Sequence, residues 1–502
     1  MILRPAWKLM NSHLPIFTEM LGYNKKIEDV VTILRTLKDE GQSDESEDEN
    51  ADDSLQRGYE SEEDDKPEEP FGIKGMTLQL IELLTTLVQR PNVQEVVKES
   101  LYPLLKTVSS YMIIEFKDSP TYKSDEHYFL HDKTNTSFKK RNIKNQCVDL
   151  FSSLIEIFGD LAIKAILNII NNLLGVDDEN ANQDQDPEQM VSQALDEKVY
   201  MSAQQNHPWK RKDIAMILFG LFIEDVQMYV LRNPELDLTD MIKQIVEIDF
   251  KASGNMRSYL VGRALWCAST CSEALITSDE KTIMLKIFIL DLSIESLKSE
   301  DHKSIKLVST RTLVRYARKM KKENLQENAQ KFESILDDLL KLLDVSGKEV
   351  MYLPIEAFYT FSNVNQETVS QMAPKITPKL LEIFKTEHSE SSLGQELINL
   401  FKIWCQYDAC RDIFINTFIP FIMEIIESYY KSTPNEENKD SMLQMCSVSE
   451  SLSLDSSNEK QRPSLGDQKV LSVVDSTILQ HVLDLLCTLL KKTDQEKHPQ
   501  EF

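Results

Sequence analysis

The chain has 502 residues, a net charge of −26 and only 13 glycines. That length exceeds one domain of roughly 100 to 200 residues, so a multidomain chain or a repeat array is expected. The glycine count, about a third of the usual 7% or so, disfavours folds built on strands and tight turns. The acidic balance argues against nucleic acid and for basic partners. No uninterrupted apolar run of about 18 residues is present to span a bilayer, so no membrane partner is expected.

Met1 to Pro15 lack the charged region, apolar stretch and small-residue cleavage site of a secretory signal. The seven cysteines are therefore expected in a reducing compartment, without disulfides. Residues 1–38 read as helices. Residues 39–70 are different: 16 acids and two bases (Arg57, Lys66) between Asp39 and Glu69 give a net −14, over half of the chain's excess. The heart of this segment reads DESEDENADDSLQRGYESEEDD. Its carboxylates at Asp44, Glu45, Glu47, Asp48, Glu49, Asp52, Asp53, Glu62, Glu63, Asp64 and Asp65 make a candidate polyanion for basic protein cargo, because a clustered charge attracts Lys and Arg without fixed geometry. The competing reading is a solvated loop that keeps the chain soluble. Ser46 and Ser61 stand three residues before Glu49 and Asp64, a weak signature of acid-directed phosphorylation that would add about 1.5 to 2 negative charges each.

Residues 71–175 return to helical periodicity. Cys147, Leu150, Phe151, Leu154, Ile155 and Phe158 fall on one helix face, and a helical pair is expected over about Thr77 to Phe116. Residues 176–206 form a polar loop rich in Asp, Asn and Gln. Residues 207–431 are again helical, and Phe332, Ile335, Leu336, Leu339, Leu340 and Leu343 repeat the same facial template. Capping-box spacing, or a close variant, marks helix starts at Asn92 with Glu95 and at Thr277 with Glu280. Pro208 suits a first helical position. Residues 432–468, rich in Ser, Asn and Glu, have too little apolar content to offset ordering entropy, and 469–502 carry a terminal helix and tail.

Helical pairs begin near Lys210, Met256, Lys303, Lys348 and Ser391, a period of roughly 43 to 47 residues. Units of that size have an apolar face that only stacking can bury, so the expected fold is an all-α superhelical solenoid of HEAT-repeat, armadillo-like type with polar or acidic loops. Such a surface suits a large protein partner.

No chemistry-bearing constellation accompanies this pattern. Cys267 and Cys271, and Cys405 and Cys410, lack the C-x-x-C spacing of zinc or redox sites, and His207 reads as a cap or packing residue. No phosphate-binding loop, nucleophile elbow or H-E-x-x-H is present. The chain is therefore expected to be no enzyme and to use no metal or other cofactor. Gly262, inside the helical stretch MRSYLVGRALWCAST, should cost about 1 kcal/mol relative to alanine. It is read as the close approach of a neighbouring repeat's helix, where alanine is mild and leucine overpacks. Trp266 is expected to fill the adjacent core, and Arg263 to pair with a carbonyl or carboxylate of the next unit. Trp209, beside Pro208, is placed among the packing residues.

The stretches YLVGRALWCAST, HPWKRKDIAMILFGLF, KITPKLLEIFKTEHSE and ELINLFKIWCQYDAC, with the opening RPAWKLMNSHLPIF, resemble matching parts of nuclear import receptors of the importin-β (karyopherin-β) family. The resemblance runs collinearly from about Arg4 to Ser428 and is strongest between His207 and Ile276. It implies a HEAT superhelix that carries basic cargo, such as core histones and ribosomal proteins, and responds to the small GTPase Ran. It also implies contacts with phenylalanine-glycine nucleoporins, and shuttling between cytoplasm and nucleus through pores of the nuclear envelope. The acidic segment would then shield histone-like cargo. Whole receptors of this kind carry additional repeats on both sides, including the main Ran-binding arch, so the resemblance implies an internal portion. A static HEAT scaffold subunit of a multiprotein complex, or an export receptor, would share the same fold and period.

Overall fold

In a computed structural model of the chain, the described residues are 9–10, 72–112, 121–130, 142–175, 208–250, 256–276, 279–299, 301–320, 323–324, 329–363, 366–387, 391–405, 407, 414–420 and 423. Among them every regular element is a helix. The helices expected in 1–38 (residues 9 and 10 apart), the acidic segment 39–70, the polar loop 176–206, the stretch 432–468 and the terminal 469–502 lie outside the described residues. The chain divides into two compact units, Met1–Thr312 and Leu313–Phe502.

In the first unit, α1 (Ile73–Val88) is followed by α2 (Pro91–Glu99) and α3 (Leu101–Ser110). After a short 3-10 turn at Thr121–Lys123 come α4 (Ile143–Phe158), α5 (Asp160–Leu174), α6 (Pro208–Leu221), α7 (Ile223–Arg232), α8 (Leu238–Phe250), α9 (Arg257–Cys271), α10 (Glu280–Lys298) and, as far as Thr312, α11 (Lys303–Arg318). Boundaries follow local chemistry. The Asn142 side chain accepts from the Asn145 amide at 2.7 Å and starts α4, and Asp279 does the same for α10 through Thr282 at 2.9 Å. Gly159 (φ +54°) breaks α4 from α5, and Gly175 (φ +76°) ends α5 in the left-handed conformation that glycine adopts without steric cost. Pro208 is the first residue of α6, as its sequence position suggests. The two capping boxes do not form as expected. α2 starts at Pro91 with Arg90 before it and no side-chain cap, while α10 is capped by Asp279, closer to the helix than Thr277.

The helices lie in two rows. α1 packs on α4 and α6 on α9, and the Thr312 hydroxyl donates to the Leu265 carbonyl at 3.0 Å, which places α11 beside α9. In the other row α3 packs on α5, α5 on α7, and α8 on α10. The rows meet where α5 packs on α6 and α8 on α9. The buried seam is apolar, as the periodicity requires: Cys147, Leu150, Phe151 and Leu154 are fully buried on α4, and Phe151 stacks on Phe222 at 5.9 Å. α9 is buried at nearly every position from Tyr259 to Cys271. That is why its sequence shows no separate polar face, where a surface helix would show one opposite an apolar stripe.

The second unit contains α12 (Ala329–Glu333), α13 (Leu336–Val345), α14 (Tyr352–Ser362), α15 (Gln366–Glu387) and α16 (Ser391–Trp404). α13 pairs with α14, α15 with α16, and α14 packs on α16. Trp404 donates its indole N–H to the Ser362 hydroxyl at 2.7 Å, and Phe384, Phe401, Phe414 and Phe418 form a cluster with ring centroids 5.2 to 5.9 Å apart. Phe332, Ile335, Leu336, Leu339 and Leu343 are buried, but not on one continuous helix. The chain turns at Ser334, whose hydroxyl donates to the Lys331 carbonyl at 2.7 Å and competes with the helical ladder.

The fold is thus the all-α HEAT-type repeat stack. Helices start at or near each of the five expected positions, but the phase shifts by one helix. α6, α9 and α14 pack more on the helix before them than on the helix after, where the loop-length rule paired them with the helix after. The long polar stretch between α5 and α6 hides their partnership from any reading based on short turns.

Candidate functional site

α6 and α9 carry the most concentrated polar cluster of the described core. Asp213 on α6 and Arg263 on α9 are both buried, and Arg263 Nε lies 2.7 Å from Asp213 Oδ1. Tyr259, one turn before Arg263 on the same face of α9, donates to the same carboxylate oxygen at 2.9 Å. It also accepts from the Arg263 guanidinium at 3.3 Å. The guanidinium lies 5.1 Å from the Trp266 ring centroid, 5.6 Å from Phe129 and 5.9 Å from Tyr259, distances at which a cation is attracted to ring faces. Trp209 meets Tyr259 edge-on at 5.4 Å, with the Lys210 ammonium 5.4 Å from its ring.

Sequence reading and structure differ here in two particulars. Arg263 pairs back to α6, not forward to the next unit, because Asp213 is the carboxylate buried on the helix that α9 packs along. Gly262 does lie at a close approach, but to an aromatic ring and not to a helix. A Cβ on Gly262 would stand 2.5 Å from Cε2 of Phe129, which belongs to the segment 121–130 between α3 and α4. Trp266 fills the core against α6, where a Cβ on Gly220 would be 2.7 Å from its ring. The aromatic run Tyr122, Tyr128 and Phe129 was not singled out from the sequence. Its only signal is three large rings within an otherwise polar inter-helix stretch. The candidate cargo-binding carboxylates from Asp44 to Asp65 lie outside the described residues.

The electrostatics follow from burial. Burial pulls the Arg263 guanidinium down, but Asp213 and the Tyr259 phenol outweigh it, so its pKa sits above the ordinary arginine value. Burial first, and the Asp213 carboxylate second, hold Tyr259 well above the usual phenol range. Burial pushes Lys210 down to about 8, with Asp213 opposing; burial and then the Arg263 charge bring Lys144 to about 8 as well. The arrangement is a buried, charge-paired core cluster. Among the described residues no group of three or more His, Cys, Asp or Glu is placed to hold a metal ion. Cys147, Cys267, Cys271 and Cys405 are buried thiols. No single described helix is long and apolar enough to cross a membrane.

The two lysines give a pH prediction. Between about pH 8 and 10 the folded chain has lost these protons while the unfolded chain, titrating near 10.5, keeps them. The unfolded state then binds more protons, so this contribution to stability rises with pH across that window and is constant below it. The melting temperature of the parent should therefore gain on that of Lys144→Met/Lys210→Met as pH goes from 8 to 10. Parallel curves would show that these lysines are not held down by burial.

The geometry defines a helical-repeat protein with a packed core. No family model matches the chain. Among solved structures it is similar to Kap121p bound to Ste12p, at 12% identity and a TM-score of 0.40, covering 70% of this chain and 34% of that one. It is also similar to Kap121p bound to Pho4p, at 13% identity, a TM-score of 0.38, and coverage of 82% and 43%. A third is the karyopherin Kap121p bound to the extreme C-terminus of the protein phosphatase Cdc14p, at 12%, 0.39, 85% and 39%. The chain spans 34% to 43% of the length of these solved chains.

Proposed function

We propose that this chain is the protein-binding part of a nuclear transport receptor of the importin-9 type, in the importin-β family, that carries basic cargo such as core histones and ribosomal proteins under control of Ran. It works by binding, with no catalysis and no cofactor, and it shuttles between cytoplasm and nucleus by touching phenylalanine-glycine nucleoporins. The observation that carries this reading is the pairing of a repeat stack with one segment of net −14 between Asp39 and Glu69. A stack offers the extended surface a large partner needs, and the segment offers a sequence-tolerant attraction for a polycation. The collinear resemblance of the helical stretches to the importin-β family supports the same assignment.

The test is histone-dimer binding by the parent chain, a chain with residues 39–69 replaced by a neutral Gly/Ser segment, and one with the same residues scrambled. The neutral chain should fold normally but associate roughly tenfold or more slowly at low salt. The difference should shrink near 0.15 M, where exposed charges more than about 8 Å apart are screened. The scrambled chain should match the parent, because net charge and not residue order sets the attraction. Equal binding by the parent and neutral chains at low salt would remove cargo shielding from the reading. Adding GTP-loaded Ran to the same assay tests the transport assignment: release of cargo marks an import receptor, tighter cargo an export receptor, and no response a static scaffold.

A further inference from the structure

Repeat stacks are normally held by nearest neighbours alone. Residues 121–130 depart from that rule. In sequence they sit between α3 and α4, yet they bond to α9 and to the start of α11, both beyond α6. The Ser304 hydroxyl donates to the Tyr122 carbonyl at 2.5 Å. The Lys303 ammonium pairs with Glu126, and the Arg311 guanidinium donates to the Leu130 carbonyl. The Tyr122 ring, 2% exposed, meets Tyr259 at 5.4 Å and His302 at 5.3 Å. Phe129, with no exposure, covers Gly262.

We propose that residues 121–130 are a clamp that joins α9 and the first half of α11 to the neighbouring α3 and α4, so that the helices from α4 to the first half of α11 open as one cooperative block. Both ends of the segment are covalently fixed within about a dozen residues, by α3 and by α4. Its local concentration over the α9 and α11 surface is therefore high, in the millimolar range typical of short tethers. That favours a permanent fastening over a lid that a free partner displaces. Closing a long loop adds only a slowly growing entropic cost, so ten residues with two buried rings suffice to couple repeats 130 to 180 positions downstream.

Amide hydrogen exchange on the full chain tests this, read separately over α9, residues 303–312, α14 and α16. Phe129→Ala should speed exchange over residues 303–312 by roughly a hundredfold or more, the order expected for truncating a buried phenylalanine, although Phe129 itself covers α9. α14 and α16 should be unchanged. Acceleration confined to α9 would overturn the clamp and leave Phe129 as ordinary local packing. If Phe129→Ala melts the chain outright, Ser304→Ala decides, since it removes one hydroxyl and leaves no aromatic cavity. It should speed exchange of residues 121–130 and 303–312 together by about fivefold, the equivalent of one net hydrogen bond. No change in either segment would overturn the proposal.

Discussion

Arg263→Ala is expected to destabilise the α6–α9 core by about 3 to 5 kcal/mol, because it leaves the Asp213 carboxylate buried without its countercharge. Asp213 is 1% exposed and Arg263 7%, so neither group has water to fall back on. Tyr259 would still donate to Asp213 at 2.9 Å, which keeps the loss from being larger. Arg263→Lys should recover little. An ammonium can face the carboxylate, but as a compact point charge it cannot also bond the Tyr259 oxygen and fill the space among three rings, as the larger guanidinium does. The double variant Asp213→Leu/Arg263→Met should regain much of the stability, since replacing a buried ion pair by apolar groups of similar volume is often neutral. Exchange of α6 and α9 amides measures all three. A loss below about 1 kcal/mol for Arg263→Ala would show that water reaches the pair.

Much of the fold was legible because its cause is periodic. Cys147, Leu150, Phe151 and Leu154 recur at helical spacing because one face of α4 must be buried, and the same requirement, unit after unit, writes the repeat period into the chain. What the period does not encode is which neighbour each helix chooses. α6 could face α5 or α7 with equal amphipathic sense, and the preference for α5 is set by packing across a long connection. The Asp213–Arg263 pair was half legible. An arginine inside an apolar helix announces a partner, but the acid lies 50 residues earlier, and nothing local distinguishes it from other acids of the chain. The segment 121–130 was least legible, since its partners lie in repeats far along the sequence and its rings follow no helical spacing. Gly262 pointed to it without naming it. The glycine signalled that something comes close, and only the folded chain reveals that the intruder is a phenylalanine.

Gly262→Ala, the mildest change possible at that position, is expected to cost a net of about 1 kcal/mol and at most about 2, although helix propensity alone favours alanine by about 1 kcal/mol. The added Cβ would stand 2.5, 2.7 and 2.9 Å from Cε2, Cζ and Cδ2 of Phe129, distances at which one of the two must move. Phe129 has little room to do so. Its ring is flanked by Tyr128 at 4.9 Å, Tyr259 at 5.7 Å and Tyr122 at 6.1 Å, with the Arg263 guanidinium 5.6 Å away. Overpacking of this kind typically costs about 1 to 3 kcal/mol, more than the propensity gain returns. Gly262→Leu should cost more and displace the ring altogether. Shortening the intruder should relieve the clash: in a double-mutant cycle, Gly262→Ala and Phe129→Leu should show a favourable coupling of about 1 kcal/mol or more, the signature of two residues in direct contact. Additive losses, or an alanine variant as stable as the parent, would mean that the ring yields and that Gly262 is not kept for its missing side chain.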